Sequence, residues 1–272
     1  MQKMRNYIAL IILLTIGLSS CSEYYKIQKS SDHELKFKKA VEYYKAGKYL
    51  RTTTLLEELI HILKGGPHGE EAHYVLASAY YDNNDYIMAG HYFSTFLKSF
   101  PNSSFREEAE YKTAYCFYLD SPRDNLDQSI TMQAIDAFGL FKIRYPESKY
   151  LTEVDKILTE LKLKVETKAY KNAFLYYEMG DYKAATVSLR SCLKDYPTIS
   201  YREDLLFYIL KSDYTYAAKS IDEKQEERFL KAIKSYRAYS TEFSQGKYIK
   251  EAESLYKKTS EELKSIQTKA VK

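Results

Sequence analysis

The chain has 272 residues, with 29 tyrosines and no tryptophan, only 9 glycines and 5 prolines, and 41 basic residues against 37 acidic ones for a formal net charge of +4. Both signs are spread along the chain, without the clustered basic face that nucleic-acid binding needs, so no nucleic-acid partner is expected.

Lys3 and Arg5 precede an apolar run from Ile8 to Leu18 that ends in small residues, the pattern of a secretory leader over residues 1–20. The run is about a dozen residues long, short of the roughly 20 that a membrane-spanning helix requires. Leu18-Ser19-Ser20-Cys21 resembles the lipobox of bacterial lipoproteins, in which a leucine and two small residues precede the cysteine that receives diacylglycerol. Cys21 is therefore the expected lipidation site, and residues 21–34 the lipidated tether. Acyl chains contribute about 0.8 kcal/mol per buried CH2, so several of them hold a protein on a membrane without any apolar surface elsewhere. The polar stretch SEYYKIQKSSDHE lacks the acidic run that resembles a surface-export signal in some lipoproteins, which points to the periplasmic side of an outer membrane.

From about Leu35 the sequence is a succession of amphipathic helical patterns, with no alternating β-branched segment that would form a sheet. Four segments punctuate it: SFPNSSFREEAE (99–110), RYPESKYLTEVD (144–155), DYPTISYREDLL (195–206) and EFSQGKYIKEAE (242–253). Each gives an aromatic, a helix stop, a second aromatic and an acidic helix start. The first aromatics, Phe100, Tyr145, Tyr196 and Phe243, lie 45, 51 and 47 residues apart. A helix-turn-helix period of this size means a solenoid, in which each unit buries its apolar face against the next.

Aligned back from the prolines, Ala77, Tyr80, Asn84, Tyr86, Ala89 and Phe93 match the tetratricopeptide pattern, as do Ala173, Tyr176, Gly180, Tyr182, Ala185 and Leu189. The first repeat supplies Ala40, Tyr43, Gly47, Tyr49 and Leu56, but has Thr52 where a small apolar residue is usual and ends in KGGPHG. The third carries the insertion DSPRDNLDQS between Ala114-Phe117 and Ala134-Phe138, and the fifth is lengthened around Lys219 to Glu226. The expected fold is an all-α solenoid of about five helix pairs: repeats 1–3 over 35–164, repeats 4–5 and a capping helix over 165–265, and a tail over 266–272. Cys116 and Cys192 fall in apolar helical patterns and read as small core residues, with a mutual disulfide as the alternative.

A tyrosine pair opens the turn in three repeats: YYKAGKY (43–49), YYDNNDY (80–86) and YYEMGDY (176–182). Neighbours on a helix are about 100° apart, so the two rings of a pair go to different places. Tyr43, Tyr80 and Tyr176 are expected in the core between paired helices. Tyr44, Tyr81 and Tyr177 are expected to line the concave groove, extended by Phe37, Tyr74, Tyr170 and Phe174. Tyrosine suits such display because it offers a rigid apolar face and a hydroxyl at low entropy cost. A groove of this kind takes an extended peptide or a helix.

No G-x-S-x-G, H-E-x-x-H, C-x-x-C, Walker A or dinucleotide glycine motif is present. Histidines 33, 61, 68, 73 and 91 show no metal-ligand spacing, and KGGPHGEE is followed by two glutamates that oppose an anion at the next helix start. No enzyme activity, cofactor or metal is expected.

The lipobox, the length of about 250 residues after it, five tetratricopeptide-like pairs and the recurrent aromatic-Pro-x-Ser-x-aromatic joints together resemble the BamD family of outer-membrane protein assembly lipoproteins, from Cys21 to about Leu263. The resemblance implies a periplasm-facing lipoprotein that binds the POTRA region of the barrel-forming BamA component and helps deliver unfolded barrel precursors. It implies precursor contact at the groove containing Tyr44, Tyr74 and Tyr81, and BamA contact after about residue 165. A SusD-like glycan-capturing lipoprotein or another periplasmic scaffold is the alternative. The former family has far longer chains and favours tryptophan at its sugar platforms.

Overall fold

The computed structural model describes residues 23–270. The leader, the lipobox and Cys21 lie outside the described residues. Within them the chain is helical throughout and contains no strand: α1 (His33–Lys45), α2 (Tyr49–Leu63), α3 (Gly69–Asp82), α4 (Tyr86–Ser99), α5 (Arg106–Asp120), α6 (Ser129–Arg144), α7 (Leu151–Glu178), α8 (Tyr182–Asp195), α9 (Arg202–Ala218), α10 (Asp222–Glu242) and α11 (Ile249–Ala270). Helices adjacent in sequence pack on one another, as expected of a tetratricopeptide-like solenoid. The described residues divide into two compact units, one of residues 23–122 with 129–158, the other of residues 123–128 with 159–270.

The turns between paired helices follow from the tyrosine pairs and the turn residue. Gly47, Asn84 and Gly180 hold positive φ of 69°, 62° and 76°, the left-handed conformation that ends a helix. At each, the backbone of the pair accepts both closing bonds. Gly47 N–H donates to Tyr44 O (3.0 Å) and Lys48 N–H to Tyr43 O (2.8 Å); Asn84 and Asp85 bond Tyr81 and Tyr80, and Gly180 and Asp181 bond Tyr177 and Tyr176, in the same way. Asp85 and Asp181 then cap the following helix, accepting from the amides of Met88 (3.1 Å) and Ala184 (3.0 Å).

Small residues let the paired helices approach. Ala40, Ala77, Ala114, Ala89, Ala134 and Ala185 have no exposed surface. Thr52 is as buried as the alanines, and its hydroxyl is satisfied at 3.3 Å by both its own-helix Lys48 carbonyl and the Ala40 carbonyl. In the first unit the core runs from Phe37, Leu55, Leu56, Leu59 and Leu76 through Phe93 and Phe96 to Phe138 and Phe141. In the second it runs from Ala173, Ala185 and Leu189 through Phe207, Leu210 and Tyr239 to Phe229 and Leu263. Cys116 and Cys192 are both buried as free thiols, so the disulfide alternative does not hold. Residues 23–28 form a helical turn that inserts Ile27 into the core of the first helix pair and sets Tyr24 edge-on to Tyr43 at 5.9 Å.

Candidate functional site

The joints between repeats share one backbone path. The first aromatic of each closes its helix, with Phe100, Tyr145, Tyr196 and Phe243 donating to the carbonyl four residues back at 2.8–2.9 Å. The carbonyl of the second, at Phe105, Tyr150, Tyr201 and Tyr248, accepts the first backbone bond of the next helix at 2.8–3.0 Å. The ring of that second aromatic lies face to face on an aromatic of the first helix of the pair just completed. Phe105 stacks on Tyr74 (4.4 Å), Tyr150 on Tyr111 (4.0 Å), Tyr201 on Tyr170 (4.6 Å) and Tyr248 on Phe207 (4.2 Å). The first joint, which has no proline-aromatic pattern, uses a histidine: His68 stacks on Phe37 at 4.5 Å.

These stacks decide where the groove candidates lie. Phe37 is only 4% exposed, beneath His68 and against the first core, so it is not displayed as expected. Tyr74 and Tyr170 are half-buried, each with one face taken by its joint ring. Tyr44, Tyr81, Phe174 and Tyr177 are half-buried as well, packed over the seams between helices.

In the first unit the groove tyrosines are held by polar partners. Tyr44 Oη donates to Asp82 (2.8 Å), and the carboxylates of Glu108 and Glu153 face the phenols of Tyr74 and Tyr111. Lys112 Nζ lies 5.5, 5.6 and 5.7 Å from the ring centroids of Tyr74, Tyr81 and Phe93, and ion-pairs with Glu108 at 2.9 Å. Burial opposes ionisation of Glu108, but the hydrogen bond and charge of Lys112 outweigh it and hold the carboxyl below its ordinary value. Burial, then the neighbouring carboxylates, raise the phenols of Tyr44 and Tyr74, so both remain donors.

The second unit gathers its candidates into a run of rings. Tyr170 stacks on Phe174 (5.6 Å) and Phe174 on Tyr177 (5.4 Å), while Tyr208 of α9 meets Phe174 (4.6 Å) and Tyr177 (4.8 Å). Tyr176, expected in the core, is 41% exposed. Its counterpart Tyr80 stacks on Tyr92 of α4 (5.2 Å) and donates to Glu57 of α2, whereas the part of α7 that carries Tyr176 opens the second unit and Ser188 stands in α8 where α4 has Tyr92.

Tyr111 and Phe207, which fill the stacking position in the two lengthened repeats, belong with the candidates but lie outside the seven named from sequence, as do Lys112 and Tyr208. The signal for Tyr111 and Phe207 was their place three residues ahead of Ala114 and Leu210, the same offset that Phe37, Tyr74 and Tyr170 keep from their alanines.

A second feature lies on α8, α9 and α10. Where the other repeats place an aromatic, the fifth has Asp213, 5% exposed. Its carboxylate accepts from Arg190 (2.7 Å), Ser235 (2.6 Å) and Thr186 (3.0 Å). Above it opens a cleft of about 360 Å³ lined in part by Lys183, Lys224, Arg228 and Lys231. Glu227 is engaged by Lys231 at 2.7 Å, and the Arg228 guanidinium sits 4.0 Å over the Tyr216 ring.

No described helix is long and apolar enough to cross a membrane. The family model described as YfiO, outer membrane lipoprotein, matches residues 29–228, which takes in α1 to α9 and the start of α10. With well over half of its length matched, this chain belongs to the YfiO family of outer membrane lipoproteins.

Proposed function

We propose that the protein is a BamD-like component of the machinery that assembles outer-membrane β-barrels, anchored through diacylglycerol on Cys21 with its body in the periplasm. In this reading the first unit meets unfolded barrel precursors at the groove of Tyr44, Tyr74 and Tyr81. The second unit meets the POTRA region of a BamA-like barrel protein. Family membership carries the reading.

Two features of the molecule support it. The rings of the first groove are held by carboxylates and by Lys112, so they offer edges and half-faces without collapsing on each other. An extended, alternately aromatic precursor strand can lie against such rings without one fixed sequence, at the modest affinity that delivery needs. The second unit adds the basic cleft above Asp213 and the exposed side chains of Leu175, Tyr176 and Met179, a mixture of apolar and charged surface suited to a folded partner.

The test is gentle detergent extraction of membranes carrying tagged protein, with a Cys21→Ala chain in parallel, and identification of what co-purifies. A POTRA-containing barrel protein is expected with the parent chain, and loss of the Cys21→Ala chain from the membrane fraction. Recovery of a glycan transporter or cell-wall enzymes in its place overturns the assembly role.

A further inference from the structure

The three tyrosine-pair turns have one backbone and two charges. Lys45-Ala46-Gly47-Lys48 closes the first helix pair, Asp82-Asn83-Asn84-Asp85 the second, and Glu178-Met179-Gly180-Asp181 the fourth. Positive φ at Gly47, Asn84 and Gly180 and the matching closing bonds make the three the same turn. Two lysines in one therefore stand where the others carry two acids, and the turn itself does not demand the change.

What singles out the first turn is the chain that leaves beside it. The helical turn of residues 23–28 brings its beginning to the α1–α2 end of the first pair. Tyr24 lies edge-on to Tyr43, in the last turn of α1, and 5.0 Å beneath the guanidinium of Arg51, in the first turn of α2. Lys48 Nζ is 5.7 Å from the same Tyr43 ring. Ile27 is buried in the core, so this arrangement is fixed. Residue 21 is two residues from residue 23, and two residues span at most about 7 Å. A lipid on Cys21 thus puts the α1–α2 end within about a Debye length of the bilayer, the range over which exposed charges act.

We propose that this end of the first helix pair rests on anionic phospholipid, with Lys45, Lys48 and Lys26 against the headgroups and Tyr25 and Leu50 at the interface. The proposal rests on attachment at Cys21 and not on the precursor or barrel-protein contacts. All three lysines are exposed, as are Tyr25 (58%) and Leu50 (73%). Of the nearby acids, Glu23 and Glu42 are held by Lys39, at 3.5 and 2.8 Å, and Asp82 accepts from Tyr44 at 2.8 Å. Basic residues beside a membrane strengthen attachment to anionic lipid several-fold each, and acyl anchors are commonly joined by such a patch. The acidic turns of the other pairs would be repelled by the same surface.

The test couples the chain from Cys21 onward, which keeps every described residue, through the Cys21 thiol to maleimide phospholipid in vesicles with or without phosphatidylglycerol. Cys116 and Cys192 stay unreacted because they are buried, which pushes their thiols up to about 12 and about 11. Lysine acetylation rates are then read by mass spectrometry. Lys26, Lys45 and Lys48 should react several-fold more slowly on phosphatidylglycerol vesicles than on phosphatidylcholine alone, with high salt erasing the difference and the exposed Lys64, at the far end of α2, unaffected. In a Lys45→Asp, Lys48→Asp chain, which carries the charge of the second turn on a backbone known to accept it, the protection of Lys26 should disappear. Equal rates on both vesicles overturn the proposal. So does persistence of Lys26 protection in the double variant, or protection that requires an added acidic protein instead of anionic lipid.

Discussion

The two units build one repeat with different means of holding their groove rings. In the first, three tyrosines face a carboxylate on the first helix of the next repeat, Tyr44 that of Asp82, Tyr74 that of Glu108 and Tyr111 that of Glu153, and Lys112 sits over three rings. In the second, Tyr170, Phe174, Tyr177 and Tyr208 hold one another. The face-to-face stack at the joint is common to both, since a ring five residues after the helix-closing aromatic falls on the first helix of the completed pair whatever lines the groove. Joint chemistry is thus structural, and groove chemistry is free to differ between the two units.

The largest effect is expected where the common element is removed. Phe207 is fully buried beneath Tyr248, and Phe207→Ala should cost about 3 to 5 kcal/mol in denaturant unfolding. Hydrogen exchange should show the lost protection in α9, α10 and α11, because a solenoid transmits stability between neighbours. Tyr111→Ala should do the same to α5 and α6. Equal loss from α1 to α11 in either variant would mean one cooperative body and would end the comparison.

Asp213→Asn probes the departure of the fifth repeat from the template. It keeps the shape but removes the charge that gathers Arg190, Ser235 and Thr186. Arg190 is half exposed and can turn to water, so the loss should be about 1 to 3 kcal/mol, below that for a fully buried ion pair. No change in urea unfolding would show that the network adds nothing to packing.

Gly47→Ala and Gly180→Ala form a matched pair, one in each unit. A Cβ at either meets nothing within 4 Å, so the loss is conformational alone, about 1 to 2 kcal/mol at both positions. Thermal shifts that differ between them would reveal constraint in one turn beyond the positive φ.

Much of the fold was legible because its determinants are local. The helix-closing aromatics, the turn residues Gly47, Asn84 and Gly180, and the small residues at the helix crossings each act within a few residues of themselves, and the all-helical repeat fold followed from them. The burial of Phe37 was not legible, because the ring that covers it comes from KGGPHG, which lacks the joint pattern, and only the structure shows His68 in the aromatic's place. Tyr111 and Phe207 were hidden because the lengthened third and fifth repeats place their partners 39 and 41 residues on, at Tyr150 and Tyr248, instead of 31.

The smallest expected effect is the sharpest probe of the difference between the units. The first ring of a tyrosine pair is covered from the helix before its own and from the helix after it, and the local motif does not state what either offers. Tyr80 has Tyr92 and Glu57 around it, so Tyr80→Ala should cost about 2 kcal/mol, a part-buried share of a full aromatic truncation. Tyr176, in the same motif, begins its unit exposed, and Tyr176→Ala should change stability by no more than about 0.5 kcal/mol. The pair shares turn and backbone bonds and differs in its cover, Glu57 of α2 and Tyr92 of α4 over Tyr80 against Ser188 of α8 beside Tyr176. A Tyr176→Ala chain as unstable as Tyr80→Ala would place a cover over Tyr176 and remove that ring from the surface offered to a partner. Unchanged stability together with weaker co-purification of the barrel protein would instead assign the exposed ring to binding, because nothing in folding would account for the loss.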